Sequence, residues 1–188
     1  KIKDSDFQHY FYEPFTETLK RYPGCEKSFD MWKEGIEKKI FVPQFHGREH
    51  LNVAAWMRAL KNGDKQTRLA FDHGFWGFLP DQNFLPGVYF QAAFLPGDPS
   101  EIDLHSQIII DGLELFGKLF GYRAEYFVPP NGSLNNTLNK TLAENGIKYR
   151  SVEKIQIEDL GFGRTRKVIH WLGQEDKSSI RYITRNCV

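Results

Sequence analysis

Two histidines four residues apart, in the stretch His46-Gly47-Arg48-Glu49-His50, are the side chains of this sequence best suited to hold a metal ion. Imidazoles at i and i+4 can reach one ion when the backbone between them makes a helical turn, and neutral imidazole is a common zinc ligand. Their position adds to their type. They follow directly on Lys39-Ile40-Phe41-Val42-Pro43-Gln44-Phe45, a short β-rich run of the kind that forms a buried parallel strand, with Pro43 ending the ordered ladder near Val42. The carboxyl ends of parallel strands are where α/β folds place active sites. Gly47 would let the backbone approach a ligand closely or take a positive φ. The bland alternative is two surface histidines at the start of a helix.

The same five residues match H-x-x-E-H, the inverted zinc-protease pattern, in which Glu49 would be the general base. That pattern belongs inside a helix, and a proline and a β-rich run stand just upstream here. Other titratable residues offer less. Asp72 precedes Gly74 and reads as a turn aspartate, with an opportunistic ligand as the sharper alternative. His170, on Val168-Ile169-His170-Trp171-Leu172, reads as a core or face histidine. His105 lies on an amphipathic helix and His9 near the amino end, and neither is assigned a role. Cys25 and Cys187 lack CxxC spacing and read as free thiols.

The elements that must position the histidines alternate in type. Pro14 to Tyr22 suits an amphipathic helix, and Ser28 can cap a second one through Asp30, Trp32 and Ile36. After His50, the residues Leu51, Ala54, Ala55 and Leu60 repeat at helical spacing up to a stop at Asn62-Gly63. Asp64 to Ser100 is rich in Gly, Pro and aromatics and weakly periodic, so it reads as a long inserted loop at 64–100 that borders the cleft. Ser100 is expected to cap a helix running to about Phe120. Glu125 to Val128 follows as a strand, Pro129 to Gly132 as a tight turn, and Ser133 as the cap of a helix ending at Asn145-Gly146. Ile147 to Val152, Lys167 to Leu172 and Ile180 to Thr184 read as further strands. Strands alternating with long helices point to βαβ units around a parallel sheet or barrel.

The totals narrow the function classes. At 188 residues, 40% of them hydrophobic and 15% aromatic, the chain can bury one sizeable core. A net charge of +1 argues against nucleic acid as partner, because phosphate binding needs a concentrated basic surface. No apolar run approaches the roughly 20 residues of a membrane span. No signal peptide is visible, which leaves localisation open between cytoplasm and export. The chain opens at Lys1 without methionine and stops just after a strand-like run, so both ends are read as cut.

With these pieces in place, the chain resembles the polysaccharide deacetylases of the NodB-homology type. The strand with His46-x-x-x-His50 is similar to the family's second motif, whose two histidines bind the metal. Tyr126-Phe127-Val128-Pro129-Pro130-Asn131-Gly132 is similar to its third, and Leu142-Ala143-Glu144-Asn145-Gly146-Ile147 to the step into the next strand. The resemblance spans roughly Phe41 to Val152. It implies one distorted (β/α) barrel over 1–188, incomplete at both ends, and a divalent metal, zinc by preference, on His46 and His50. It also implies that Pro130, Asn131 and Gly132 form part of the wall for an acetylated glycan, which would lose acetate by metal-dependent hydrolysis. The chain departs from the family where Val128 stands at the arginine position and Asn131 at that of an aromatic. The family's paired aspartates have no counterpart strand before His46, since Asp4 and Asp6 lack the apolar run. The alternative is therefore a carbohydrate-binding or scaffold domain that keeps the barrel without its chemistry. No protein partner is evident.

Overall fold

The computed structural model of the chain describes residues 7–184. Asp4, Asp6 and Cys187 lie outside the described residues, and Cys25 is a free thiol. The chain divides into two compact units, Lys1–Pro43 and Gln44–Val188.

The first unit holds α1 (Phe15–Leu19) and α2 (Ser28–Glu37). Phe15 meets Phe29 edge-on with ring centroids 5.6 Å apart and touches Trp32 at 5.7 Å, which joins the two helices. Ser28 is the first helical residue of α2, with no side-chain cap behind it. The β-rich run that follows is not a buried strand. Lys39 takes φ +57°, and the Ile40 amide donates back to the Gly35 carbonyl at 2.9 Å, a helix-ending turn that spends the backbone of the run's first residues. Ile40, Phe41 and Val42 are exposed as a result.

In the second unit the strand-like signal survives at one residue. Phe45 bridges Phe127 in parallel, its amide donating to the Tyr126 carbonyl and its carbonyl accepting from the Val128 amide, both at 3.2 Å. The sheet continues through β1 (Tyr126–Phe127), β2 (Tyr149–Val152) and, last in the chain, β5 (Arg181–Thr184), parallel throughout. Phe45, Phe127, Leu142 and Ile180 are buried along it, with Phe45 stacked on Phe127 at 5.3 Å.

Four α-helices accompany this sheet among the described residues of the second unit. The first, α3 (Val53–Lys61), is capped by Asn52, whose Oδ1 accepts from the Ala55 amide. The second, α4 (Lys65–Asp72), is capped by Asp64. It corrects the view of 64–100 as one unstructured loop: the aromatic content masked a short helix that buries only Thr67 and leaves Leu69 exposed. Next, α5 (Glu101–Phe120) ends at the left-handed Gly121, as its sequence predicts. Its first turn is organised by Asp98, which accepts from the Ser100 amide and hydroxyl, rather than by a Ser100 cap. At Gly112, α5 crosses so close to Phe45 that a Cβ would lie 2.8 Å from the Phe45 ring. The last, α6 (Asn139–Glu144), begins five residues later than expected, because Asn135 rather than Ser133 takes the cap role for a short turn at Asn136–Leu138.

The barrel expectation is overturned. Among the described residues there is no closed barrel, only this open parallel sheet and a separate hairpin of β3 (Ile155–Asp159) and β4 (Thr165–Ile169). The reason lies between β2 and β5, where βαβ alternation requires a helix and the chain instead makes an antiparallel hairpin. That hairpin is inverted in polarity: Gln156 and Glu158 are buried while Ile155 and Ile157 are exposed. No helix among the described residues is long and apolar enough to cross a membrane.

Candidate metal centre

His46 leaves the sheet directly after the Phe45 bridge, at the carboxyl end of the parallel register. The turn that carries the chain from His46 to His50 is not helical. It depends on Gly47, whose φ of +113° is hostile to side chains. A Cβ there would sit 3.2 Å from the Glu49 carbonyl oxygen and 3.3 Å from Pro130 Cγ. The two rings therefore meet through a glycine turn seated on Pro130, whereas the i, i+4 argument assumed a helical one.

Each ring is held by a backbone carbonyl. His46 Nδ1 lies 2.7 Å from the Val128 oxygen and His50 Nδ1 lies 2.8 Å from the Gln91 oxygen. A carbonyl only accepts, so both Nδ1 atoms carry the proton and both Nε2 atoms present a lone pair. Those Nε2 atoms face each other at 3.3 Å. Two lone pairs so placed repel unless a proton or a cation lies between them. Nitrogens each about 2.0–2.1 Å from a tetrahedral zinc lie about 3.3–3.4 Å apart, so the pair fits two ligand positions of such an ion. Anchoring of the second ring nitrogen is also what orients metal-binding histidines.

The neighbourhood explains the anchoring. Asn52 fastens the 90–95 segment beside the site: its amide donates to the Phe90 carbonyl at 2.7 Å and its Nδ2 to the carbonyls of Ala92 and Leu95. Gln91 is thereby delivered to His50. Arg48 turns inward and forks onto Glu49 at 2.8 and 2.7 Å, with a further bond to Asp111 at 3.0 Å. Glu49 is thus engaged and nearly buried, and the zinc-protease reading fails both on this and on the absence of a helix. Val128 contributes through its carbonyl, for which side-chain identity is irrelevant.

Comparison with family models, with curated proteins and with solved structures gives no match.

The histidines open into a cleft of about 470 Å³ that they share with Val128, Pro129, Asn131, Gly132, Ser151 and Glu153. Two of the three expected wall residues, Asn131 and Gly132, line it, whereas Pro130 is buried beneath and supports Gly47. Asp72 closes α4 and does not line the cleft. His170 is buried, its Nε2 bonded to Gln156 Oε1 at 2.8 Å, and is the core histidine its strand implied. Among the described residues no third His, Cys, Asp or Glu joins the pair in a group that could hold an ion.

Sequence reasoning missed Gln91 and Glu153. Gln91 acts through its backbone, which leaves no trace in residue type. Glu153 was findable, since it directly follows β2 and so stands at the carboxyl end of a parallel strand, beside the same cleft.

Proposed function

We propose that the cleft at His46 and His50 takes a divalent transition-metal ion, zinc by preference, and serves the hydrolysis of acetyl groups on a glycan. The observation that carries the metal part is the 3.3 Å approach of two Nε2 atoms whose Nδ1 protons are committed to carbonyls. The resemblance at 46–50 and 126–132 supplies the substrate class. An ion held there would supply Lewis acidity to an acyl carbonyl and to water. The chain's own contributions are simpler: the Val128 and Gln91 carbonyls orient the two rings, Asn131 and Gly132 shape the wall beside them, and Glu153 brings a carboxylate to the lip.

Two imidazoles fall short of the three protein ligands of ordinary catalytic zinc sites, so weak zinc binding and little acetate release are expected of these 188 residues. Calorimetric titration with zinc tests the site. His46→Ala and His50→Ala should each weaken binding by at least about 100-fold, given that changes in residues merely supporting metal ligands cost about 10–100-fold. Unchanged binding in either variant sinks the metal reading. Enzyme-like acetate release from acetylated glycan by the chain alone would mean that a third ligand and a base are present after all, with Glu153 the first residue to replace.

A second reading, a carbohydrate-binding domain without chemistry, is favoured by Val128 in place of an arginine that would hold a base. Glycan binding with neither zinc binding nor acetate release would select it.

A further inference from the structure

The segment that carries the cleft wall also carries a pattern that the histidine site does not use. Asn131-Gly132-Ser133, Asn135-Asn136-Thr137 and Asn139-Lys140-Thr141 are N-x-S/T tripeptides, the acceptor pattern for a sugar attached to asparagine. Such a tripeptide arises often by chance, so what each asparagine does in the folded chain decides its meaning. The atom that takes the sugar is Nδ2. Asn139 is buried and spends both of its Nδ2 hydrogens, on Asp176 at 2.7 Å and on the Tyr182 hydroxyl at 2.9 Å. Asn135 is buried too. Its Nδ2 donates to the Asp159 carbonyl at 2.9 Å, and its Oδ1 accepts from the Thr137 amide and hydroxyl. Neither has room or a spare hydrogen-bonding role for a sugar.

Asn131 stands apart. It is exposed, and its side-chain amide makes no hydrogen bond among the described residues. The loop turns there on two successive left-handed residues, Asn131 at φ +52° and Gly132 at φ +75°, a conformation that asparagine tolerates better than most side chains. The hydroxyl that the pattern requires, on the half-buried Ser133, is likewise not engaged by any hydrogen bond among the described residues. Space is also available. Asn131 lines both the cleft of about 470 Å³ at His46 and His50 and a second hollow of about 950 Å³ that runs to Tyr89 and Arg58.

We propose that Asn131 is an N-glycosylation acceptor in the folded chain, and that the added sugar stands beside His46 and His50 at the cleft. In the transfer, Asn131 Nδ2 bonds to the anomeric carbon of a nucleotide-activated hexose and loses one proton. The bond from that carbon to the diphosphate breaks, and the nucleoside diphosphate leaves with the electron pair. Folding precedes transfer. A sugar placed on Asn139 beforehand would take a donor from the buried bonds to Asp176 and Tyr182. The fold thus selects one acceptor out of three.

The test incubates the folded 188-residue protein with UDP-glucose and a soluble glycosyltransferase that recognises N-x-S/T, followed by intact-mass spectrometry and peptide mapping. One hexose is expected, on Asn131. A synthetic peptide of residues 126–142 should accept hexose at Asn135 and Asn139 as well, because no fold protects them. Ser133→Ala, which leaves Asn131 in place and removes the required hydroxyl, should abolish transfer to the folded protein. In NMR spectra the ring signals of His46 and His50 should move on modification, while those of the buried His105 and His170 stay. A folded protein that takes no hexose, or takes it on Asn135 or Asn139, overturns the acceptor assignment, as does transfer to the Ser133→Ala protein. A peptide modified at Asn131 alone overturns the role given to the fold. Hexose on Asn131 without movement of either cleft histidine signal overturns the placement of the sugar.

Discussion

His46 and His50 hold their rings in an open cleft, one nitrogen of each fixed on a carbonyl and the other facing its neighbour; His105 and His170 hold theirs inside the protein, with nitrogens that have no such arrangement. Neither ring nitrogen of His105 has a partner, and its ring stands edge-on to Phe94 at 5.8 Å. His170 satisfies Nε2 through Gln156 and leaves Nδ1 bare against its surroundings, with its ring edge-on to Tyr182 at 4.5 Å. The difference teaches that burial is a poor guide to a ligand histidine. What matters is where the free lone pair points and whether the other nitrogen is committed. In the cleft the free lone pairs converge where an ion can reach them; in the interior they are shut in and serve packing.

The largest expected effect lies in the interior, where His170 joins a buried polar network. Asn139 Oδ1 accepts from Arg150 Nη1, while Asn139 Nδ2 donates to Asp176 at 2.7 Å and to the Tyr182 hydroxyl at 2.9 Å. Arg150 is almost wholly buried over the Tyr182 ring, and burial draws its guanidinium down to about 10. Asn139→Ala would strand charges that water reaches poorly, so a loss of about 3–5 kcal/mol is expected in urea denaturation. His50→Ala, in the cleft, should cost no more than about 1 kcal/mol, the worth of one hydrogen bond. Equal losses in the two variants would break the contrast between the regions.

Acid sharpens it. Burial lowers the His105 pKa from 6.5 to about 4, with a small opposing pull from Glu101 on its own helix. His170 is lowered too, first by burial and then by Arg150. A histidine depressed in the folded state is neutral there while the unfolded chain still takes up protons. Its contribution to stability is therefore present above about pH 6.5 and is lost as the pH falls toward 4. For His105 the loss is at most about 3 kcal/mol. Denaturation at pH 7, 5.5 and 4.5 should show the decline, and His105→Leu should flatten most of it. An undiminished slope in that variant would assign the acid sensitivity to other groups.

How legible all this was from sequence depends on what the signal rested on. Helices with their own punctuation, such as the one ending at Gly121 or the one between Asn52 and Asn62, were readable because caps and periodicity are local. The β-rich run at 39–45 misled because strand propensity does not say whether the backbone is already used, and here the end of α2 uses it. β3 was missed because its outward face is isoleucine and its inward face is Gln156 and Glu158, the reverse of the usual pattern. The barrel expectation failed with it, since the hairpin occupies the place of a crossover helix. The histidine pair was legible as a pair; the two carbonyls that aim it were not.

The smallest expected effect tests whether that aim matters. Gly47→Ala places a methyl 3.2 Å from the Glu49 carbonyl and 3.3 Å from Pro130 at a φ of +113°, so some adjustment of the turn is unavoidable. Strain of this kind costs about 1–3 kcal/mol, and an exposed turn can relax part of it, so a stability loss of about 1 kcal/mol is expected. The turn joins the two rings, and any shift moves one Nε2 relative to the other while the carbonyl anchors pull each ring back. Zinc affinity should therefore fall by about tenfold, although no ligand has been removed and His46 and His50 remain in place. Titration of Gly47→Ala with zinc, beside its urea denaturation, separates the two consequences. A variant that loses stability but keeps the affinity of the wild type would show that the rings find an ion without preorganisation. The cleft histidines would then differ from ordinary surface histidines only in being neighbours, and the contrast with His105 and His170 would reduce to exposure.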